Sequence, residues 1–184
     1  MVITTSPLVK TYTLEEFWKI PEPPDHSKLE LIKGVLYMSP PPEEIHDEAA
    51  SEINSFLRDA IRDGGYKGSI FVARAAIWLD DGTYLEPDLM YVSKEMKARM
   101  KGHRVCADLV VEVVSPSSAI YDRTTKADTY EAMGVGEMWI VDPKKRTIDV
   151  RYFKSGKRES FGVKDTIRSE VLPDLKIPVR RIFS

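Results

Sequence analysis

A chain of 184 residues has the length of one ordinary domain and can bury a substantial core, so a single domain over residues 1–184 is expected. With 42% hydrophobic and 30% charged residues and a formal charge of −2, it reads as a globular protein whose surface as a whole does not attract nucleic acid, although a local basic groove stays open. Cys106 is the only cysteine, which excludes an intrachain disulfide, and with three histidines it argues against a metal site of His and Cys alone.

The first predicted element is a short helix in TYTLEEFW, where Thr13 and Glu16 have the spacing of a capping box. KLELIKGVLYM reads as a hairpin turning at Lys33-Gly34, and SPPPEE breaks the chain before the next helix. That helix is predicted from about Glu44 to Asp63, with Ile45, Ala49, Ile53, Phe56, Leu57, Ala60 and Ile61 on its apolar stripe and Gly64-Gly65 at its end. Residues 66–79 read as one long strand, Asp81-Gly82 as a hairpin turn, and residues 83–92 as the strand returning antiparallel. SKEMKARMKGHR forms a basic loop or short helix. The apolar strand DLVVEVVSP follows, then a break, then a helix that Asp122 is placed to cap and Gly134 to close. GEMWIVD and TIDVRYF pair across Asp142-Pro143, and the tail adds edge strand with an apolar end. A mixed sheet flanked by helices, an α/β (α+β) fold, satisfies this order. No apolar run approaches membrane-spanning length, and the cytoplasm is the expected compartment.

Glu112 is the anomaly among these segments. It stands between valines in a strand that looks buried on both faces, and an isolated carboxylate there costs several kcal/mol unless something neutralises it. An arginine on a neighbouring strand, such as Arg74, is the ordinary solution. A second solution lies in EPDLMYV, where strand alternation puts Asp88 on one face with Glu86, Met90 and Val92. Neighbouring strands stand about 4.8 Å apart, so Asp88 and Glu112 at matching heights can share a hard cation, Mg²⁺ or Mn²⁺. On the following helix Lys126, Tyr130 and Met133 share a face, which turns Lys126 inward if Tyr130 and Met133 pack as core. Taken alone, Lys126 would be a solvated helix lysine. The basic residues Lys97, Arg99, Lys101 and Arg104 read as a solvated face, and are also the best local candidates for phosphate contacts.

These residues resemble the core of the PD-(D/E)xK nuclease superfamily, the restriction-endonuclease-like fold: Pro87-Asp88 on one strand, Glu112 on the next, and a helix after it. Val114 stands where the general motif has its lysine. In some branches that lysine is relocated to the following helix, and Lys126 fits such a relocation. More narrowly, LELIKG, His46, PDLMYV, VVEVVSPSS, DRTTKADTYEAMGVGEMWIVDP and LPDLKIPV resemble a small bacterial family of endonuclease-like proteins formerly classed as a domain of unknown function. The resemblance runs from Tyr12 to Phe183. It implies Asp88, Glu112, Lys126 and Glu30 as site residues, His46 as an accessory residue, Mg²⁺ (or Mn²⁺) as cofactor and DNA as substrate. A homodimer is expected because this fold often works on two strands as a symmetric pair. Without the resemblance, Glu30 reads as an exposed hairpin residue and His46 as a structural or surface histidine. Two rival readings remain: a nucleic-acid-binding or assembly module that does not cut, and a glycosidase, for whose sugar cleft so short a chain leaves little room.

Overall fold

The computed structural model describes residues 9–115 and 122–183, with the side chains of residues 122 and 123 left aside. Helix α1 (Leu14–Phe17) starts on the expected capping box: Thr13 Oγ1 accepts from the Glu16 N–H at 3.2 Å, and the Thr13 N–H donates to Glu16 Oε2 at 2.8 Å. Strands β1 (Lys28–Ile32) and β2 (Val35–Ser39) form the predicted hairpin. Lys33 and Gly34 between them have φ of 47° and 81°, the left-handed pair that a two-residue hairpin turn requires. Helix α2 (Glu44–Asp63) has the predicted limits.

The predicted stripe of α2 holds except at its first residue. Ala49, Ile53 and Leu57 are buried as expected, and burying the two larger ones contributes about 1.5–3 kcal/mol each. Ile45, however, is 41% exposed. The buried face continues through His46, which precedes Ala49 and Ile53 by three and seven residues.

Residues 66–92 make two pairs of strands instead of one long hairpin. Strand β3 (Gly68–Val72) pairs with β6 (Leu89–Ser93), and β4 (Ile77–Leu79) pairs with β5 (Thr83–Leu85) in a different sheet. Both chains break at the same height, at residues 73–76 and 86–88. On the outgoing chain the Ala75 N–H donates to the Val72 carbonyl and Arg74 adopts φ +69°. Apolar residues flank this turn on both sides, so the sequence reads through it. The crease matters because Glu86 and Asp88 lie in it.

Among the described residues the four-stranded sheet runs β2-β1-β5-β4, and the six-stranded sheet runs β10-β9-β8-β7-β6-β3. The latter contains β7 (Leu109–Val113), β8 (Glu137–Asp142), β9 (Thr147–Tyr152) and β10 (Lys157–Gly162), with β7 and β8 parallel and the other pairs antiparallel. Strand β10 is a polar edge strand, KRESFG, which lacks the apolar alternation that marks a strand in sequence. A small hairpin of β11 (Thr166–Arg168) and β12 (Lys176–Pro178) ends the chain. Between β7 and β8, a π-helical turn (Asp122–Lys126) runs into helix α4 (Ala127–Met133), which Gly134 closes at φ +83°. The cap expected from the Asp122 side chain lies outside the described residues.

Strand alternation divides the core. Leu89, Tyr91, Leu109, Val111 and Val113 pack with α2 on one face, while Met90, Val92, Val110 and Val114 pack with Ala127 and Tyr130 of α4 on the other. The second cluster also takes in Ile32, Ile77 and Leu85 of the four-stranded sheet. Residue 112 therefore faces α4 and the smaller sheet. Among the described residues no helix is long and apolar enough to cross a membrane.

Glu137, at the start of β8, is fully buried and fastens the tail to the sheet. Its Oε1 accepts from Trp139 Nε1 at 2.6 Å, and its Oε2 accepts from Ser169 Oγ at 2.8 Å and from the Glu170 and Val171 N–H groups at 2.9 and 3.1 Å. Burial pushes its carboxyl up from the ordinary value, against the opposing effect of these donors.

Candidate active site

Four elements and the crease bring five predicted residues together. Glu112 is 1% exposed near the end of β7, and its two oxygens accept from α4 and the turn before it. Tyr130 Oη donates to Oε1 at 2.6 Å, and Lys126 Nζ donates to Oε2 at 3.1 Å. Lys126 is 1% exposed, at the junction of the π-helical turn with α4, so its ammonium needs anions. It finds a second one in Glu30 Oε2 at 2.8 Å. The contact lacks hydrogen-bond alignment, so Glu30 Oε2 remains a buried oxygen without a hydrogen-bond donor. Glu30 Oε1 accepts from the Glu86 N–H at 2.9 Å. Far from being an exposed hairpin residue, Glu30 is 1% exposed, because the four-stranded sheet lays β1 against the crease.

Asp88 begins where the chain crosses between the sheets. Its Oδ2 accepts from the Val113 N–H at 2.7 Å, one residue beyond Glu112, and meets His46 Nε2 at 3.2 Å. Its Oδ1 has a looser neighbour, Lys28 Nζ at 3.6 Å. Burial alone would raise the Asp88 carboxyl, but Lys28, the His46 hydrogen bond and Lys126 outweigh it and hold the group well below the carboxylate range. Desolvation likewise pulls Lys28 down, and Glu30 and Asp88 carry it above its ordinary value. For His46 burial lowers the imidazole, and the bonds to Asp88 and Asp47 raise it further than burial lowers it.

Sequence reasoning missed three contributors. Lys28 shares a strand face with Glu30, two residues on, and that alternation was the available signal. Tyr130 was read as core; its ring is buried, yet a buried phenol needs a partner, and the partner is Glu112. Glu86, which strand alternation puts on the face of Asp88, is 7% exposed and has one oxygen, Oε2, without a hydrogen-bond donor. By contrast Lys97, Arg99, Lys101 and Arg104 do not line the cavity described below. Helix α3 (Lys94–Arg99) leaves the end of β6 opposite Asp88, about 17 Å along a five-residue strand. Arg104 is occupied by the Ala76 carbonyl at 2.9 Å and the Phe71 ring at 4.6 Å.

Lys28, His46, Asp88, Glu112 and Lys126 line one cavity of ≈ 170 Å³, and Glu30 stands behind its wall in contact with Lys126, Lys28 and the Glu86 N–H. Glu30, Asp88 and Glu112 set three negative charges against the two lysines. The donor set suits a hard cation: of the four carboxylates that line the cavity, Asp47, Glu86, Asp88 and Glu112, Asp88 and Glu112 stand on adjoining strand ends, and Asp88 Oδ1 is loosely held. Among the described residues no three His, Cys, Asp or Glu side chains cluster to hold a metal by themselves. Mg²⁺ needs fewer, since it is commonly held by one or two carboxylates with water and substrate completing the shell.

The sequence model of the Uma2 family, described as "Putative restriction endonuclease", matches residues 14–180. The chain belongs to this family. The match runs from the first residue of α1 to just beyond β12 and takes in every residue of the site. No curated protein matches the chain. Among solved structures, one from Anabaena variabilis, described as a "putative nuclease belonging to DUF820", superposes with a TM-score of 0.76 at 20% identity, covering 94% of this chain and 97% of that one. At that identity the likeness concerns the fold: a mixed α and β restriction-endonuclease-like architecture shared over nearly the full length.

His46 gives this Uma2-family chain a pH signature. Its folded value lies above the ordinary 6.5, so stability from the protonated pair with Asp88 is complete below 6.5 and is lost as pH rises through the folded value. Asp88 stays ionised throughout that window. His46→Gln should therefore cost about 2 kcal/mol at about pH 5.5 and clearly less at about pH 9. Thermal melts of both proteins across this range check it; a pH-independent difference would mean the imidazole does not charge against Asp88.

Proposed function

We propose that this chain is a Mg²⁺- or Mn²⁺-dependent DNA endonuclease that hydrolyses phosphodiester bonds. The observation that carries the reading is Lys126: a buried ammonium between Glu30 and Glu112, on the wall of the cavity that Asp88 also lines. Val114, in the place of the general motif's lysine, is packed in the apolar cluster, and Lys126 supplies the ammonium from the following helix instead.

Asp88 and Glu112 would hold the cation. When bound there, it would polarise the phosphoryl oxygen and make a water molecule more acidic. Tyr130 fixes the orientation of Glu112, and Glu30 holds Lys126 against it. Lys126 thereby presents a fixed positive charge where negative charge grows on the phosphate oxygens. As oxygen from water bonds to phosphorus, the bond to the 3′ oxygen breaks, and that oxygen takes up a proton.

The test is cleavage of end-labelled DNA with Mg²⁺ or Mn²⁺, in parallel with Glu112→Gln, which keeps the shape and removes the charge. Cleavage should fall by on the order of 10²–10³-fold. The thermal stabilisation of wild type by the metal should vanish with it. A specific observation favours the rival reading: both Glu112 oxygens already have internal donors, as in an ion-pair network that only ties the sheets together. If melting is insensitive to metal and DNA binding survives Glu112→Gln unchanged, the chain is a binding module.

A further inference from the structure

The cavity of the candidate active site shares two wall residues, Arg74 and Glu86, with a neighbouring cavity of ≈ 200 Å³ that Trp18 and Tyr84 also line. Three groups of this second cavity are only partly engaged within the fold. Trp18 is 59% exposed, whereas Trp139 is fully buried. Glu86 is 7% exposed; Tyr84 Oη donates to its Oε1 at 2.9 Å, but its Oε2 has no hydrogen-bond donor. The Arg74 guanidinium is half exposed, donates to the His26 carbonyl at 3.3 Å, and stands 3.9 Å from that same Glu86 oxygen.

Arg74, in the crease, is also held at φ +69°, and His26, in the turn closed by its N–H on the Pro23 carbonyl, at φ +61°, conformations that ordinary side chains rarely adopt. The guanidinium of Arg74 stands between the two cavities. The chemistry of the three groups fits one occupant. A guanidinium matches a phosphate, an exposed indole offers a stacking surface to a base, and a buried carboxylate oxygen accepts from an exocyclic amino group. An apolar occupant would leave Glu86 Oε2 without a donor.

We propose that the cavity behind Arg74 is a nucleotide subsite: it takes an unpaired base against Trp18 and Glu86, with the attached phosphate on Arg74. The substrate class that follows is DNA with an unpaired nucleotide, a single strand or a bulge, because a base stacked in continuous duplex cannot enter. That the bound DNA is then cut rests on the reading above; the subsite does not.

The test measures binding of the full chain with divalent metal chelated, by fluorescence anisotropy. The probes are three labelled DNAs of one sequence: continuous duplex, duplex with one unpaired nucleotide, and single strand. The unpaired probes should bind about tenfold more tightly than duplex, and Trp18→Ala should remove that preference while leaving duplex binding in place. Arg74→Gly, whose backbone is at ease at φ +69°, should weaken binding of the unpaired probes with no loss of melting temperature. Equal binding of the three probes within about threefold, or a preference that survives Trp18→Ala, overturns the subsite. Preference without cleavage of any probe in Mg²⁺ or Mn²⁺ supports the subsite and sinks the nuclease reading. Cleavage of continuous duplex without preference does the reverse.

Discussion

Lys126→Met should destabilise the fold by about 3–5 kcal/mol, as expected when one partner of a buried ion pair is removed. Methionine fills most of the volume, so the loss comes from charge rather than from a cavity. Glu30 and Glu112, each 1% exposed, would face each other with no ammonium between them. Against a total stability of about 5–15 kcal/mol this is a large fraction, and it should appear in urea titration as a lower midpoint with an unchanged slope. Adding Glu30→Gln to Lys126→Met should restore part of the loss, since one abandoned charge goes with it. If Lys126→Met melts like wild type, the ammonium is not the partner of these acids, and its proposed role in catalysis fails with it.

The second large effect is expected far from the cavity. Glu137→Ala should cost about 3 kcal/mol or more, because Trp139 Nε1, Ser169 Oγ and the Glu170 and Val171 N–H groups lose their acceptor together. Glu137→Gln keeps the shape and one acceptor oxygen, so it should lose less. Hydrogen exchange at Glu170 and Val171 would show where the damage lies: in Glu137→Ala these amides should exchange much faster than those of β7. Uniform exchange across the sheet would contradict the view of Glu137 as a local fastening of the tail.

These two carboxylates differ in how visible they are along the chain. Glu112 interrupts a run of valines, and a charge in a strand buried on both faces announces that a partner exists. Glu137 opens its strand beside glycine, where a carboxylate ordinarily faces water, and three of its four partners lie more than thirty residues away on the tail. Lys126 was legible only in part. Its spacing from Tyr130 turns it inward if that face packs as core, but a lone helix lysine is ordinarily solvated, so the resemblance was needed to single it out.

Periodicity decides which face of an element is covered, and turn chemistry decides where an element stops. On those grounds the sequence alone determined helix α2, the turns at Lys33-Gly34 and Gly134, the burial of Glu112 and the helix face that Lys126 shares with Tyr130. Only the tertiary structure decided what those faces meet. Breaking residues 66–92 over two sheets at Arg74 brings Asp88 and Glu86 into a crease, and the same crease draws in Lys28 and Glu30 from β1 and His46 from α2. Local pattern cannot report this, because the kink at Arg74 comes from packing of distant strands and not from a glycine or proline in the chain. The basic residues of α3 show the converse: they are near Asp88 in sequence, yet a single strand carries them to the other end of the sheet.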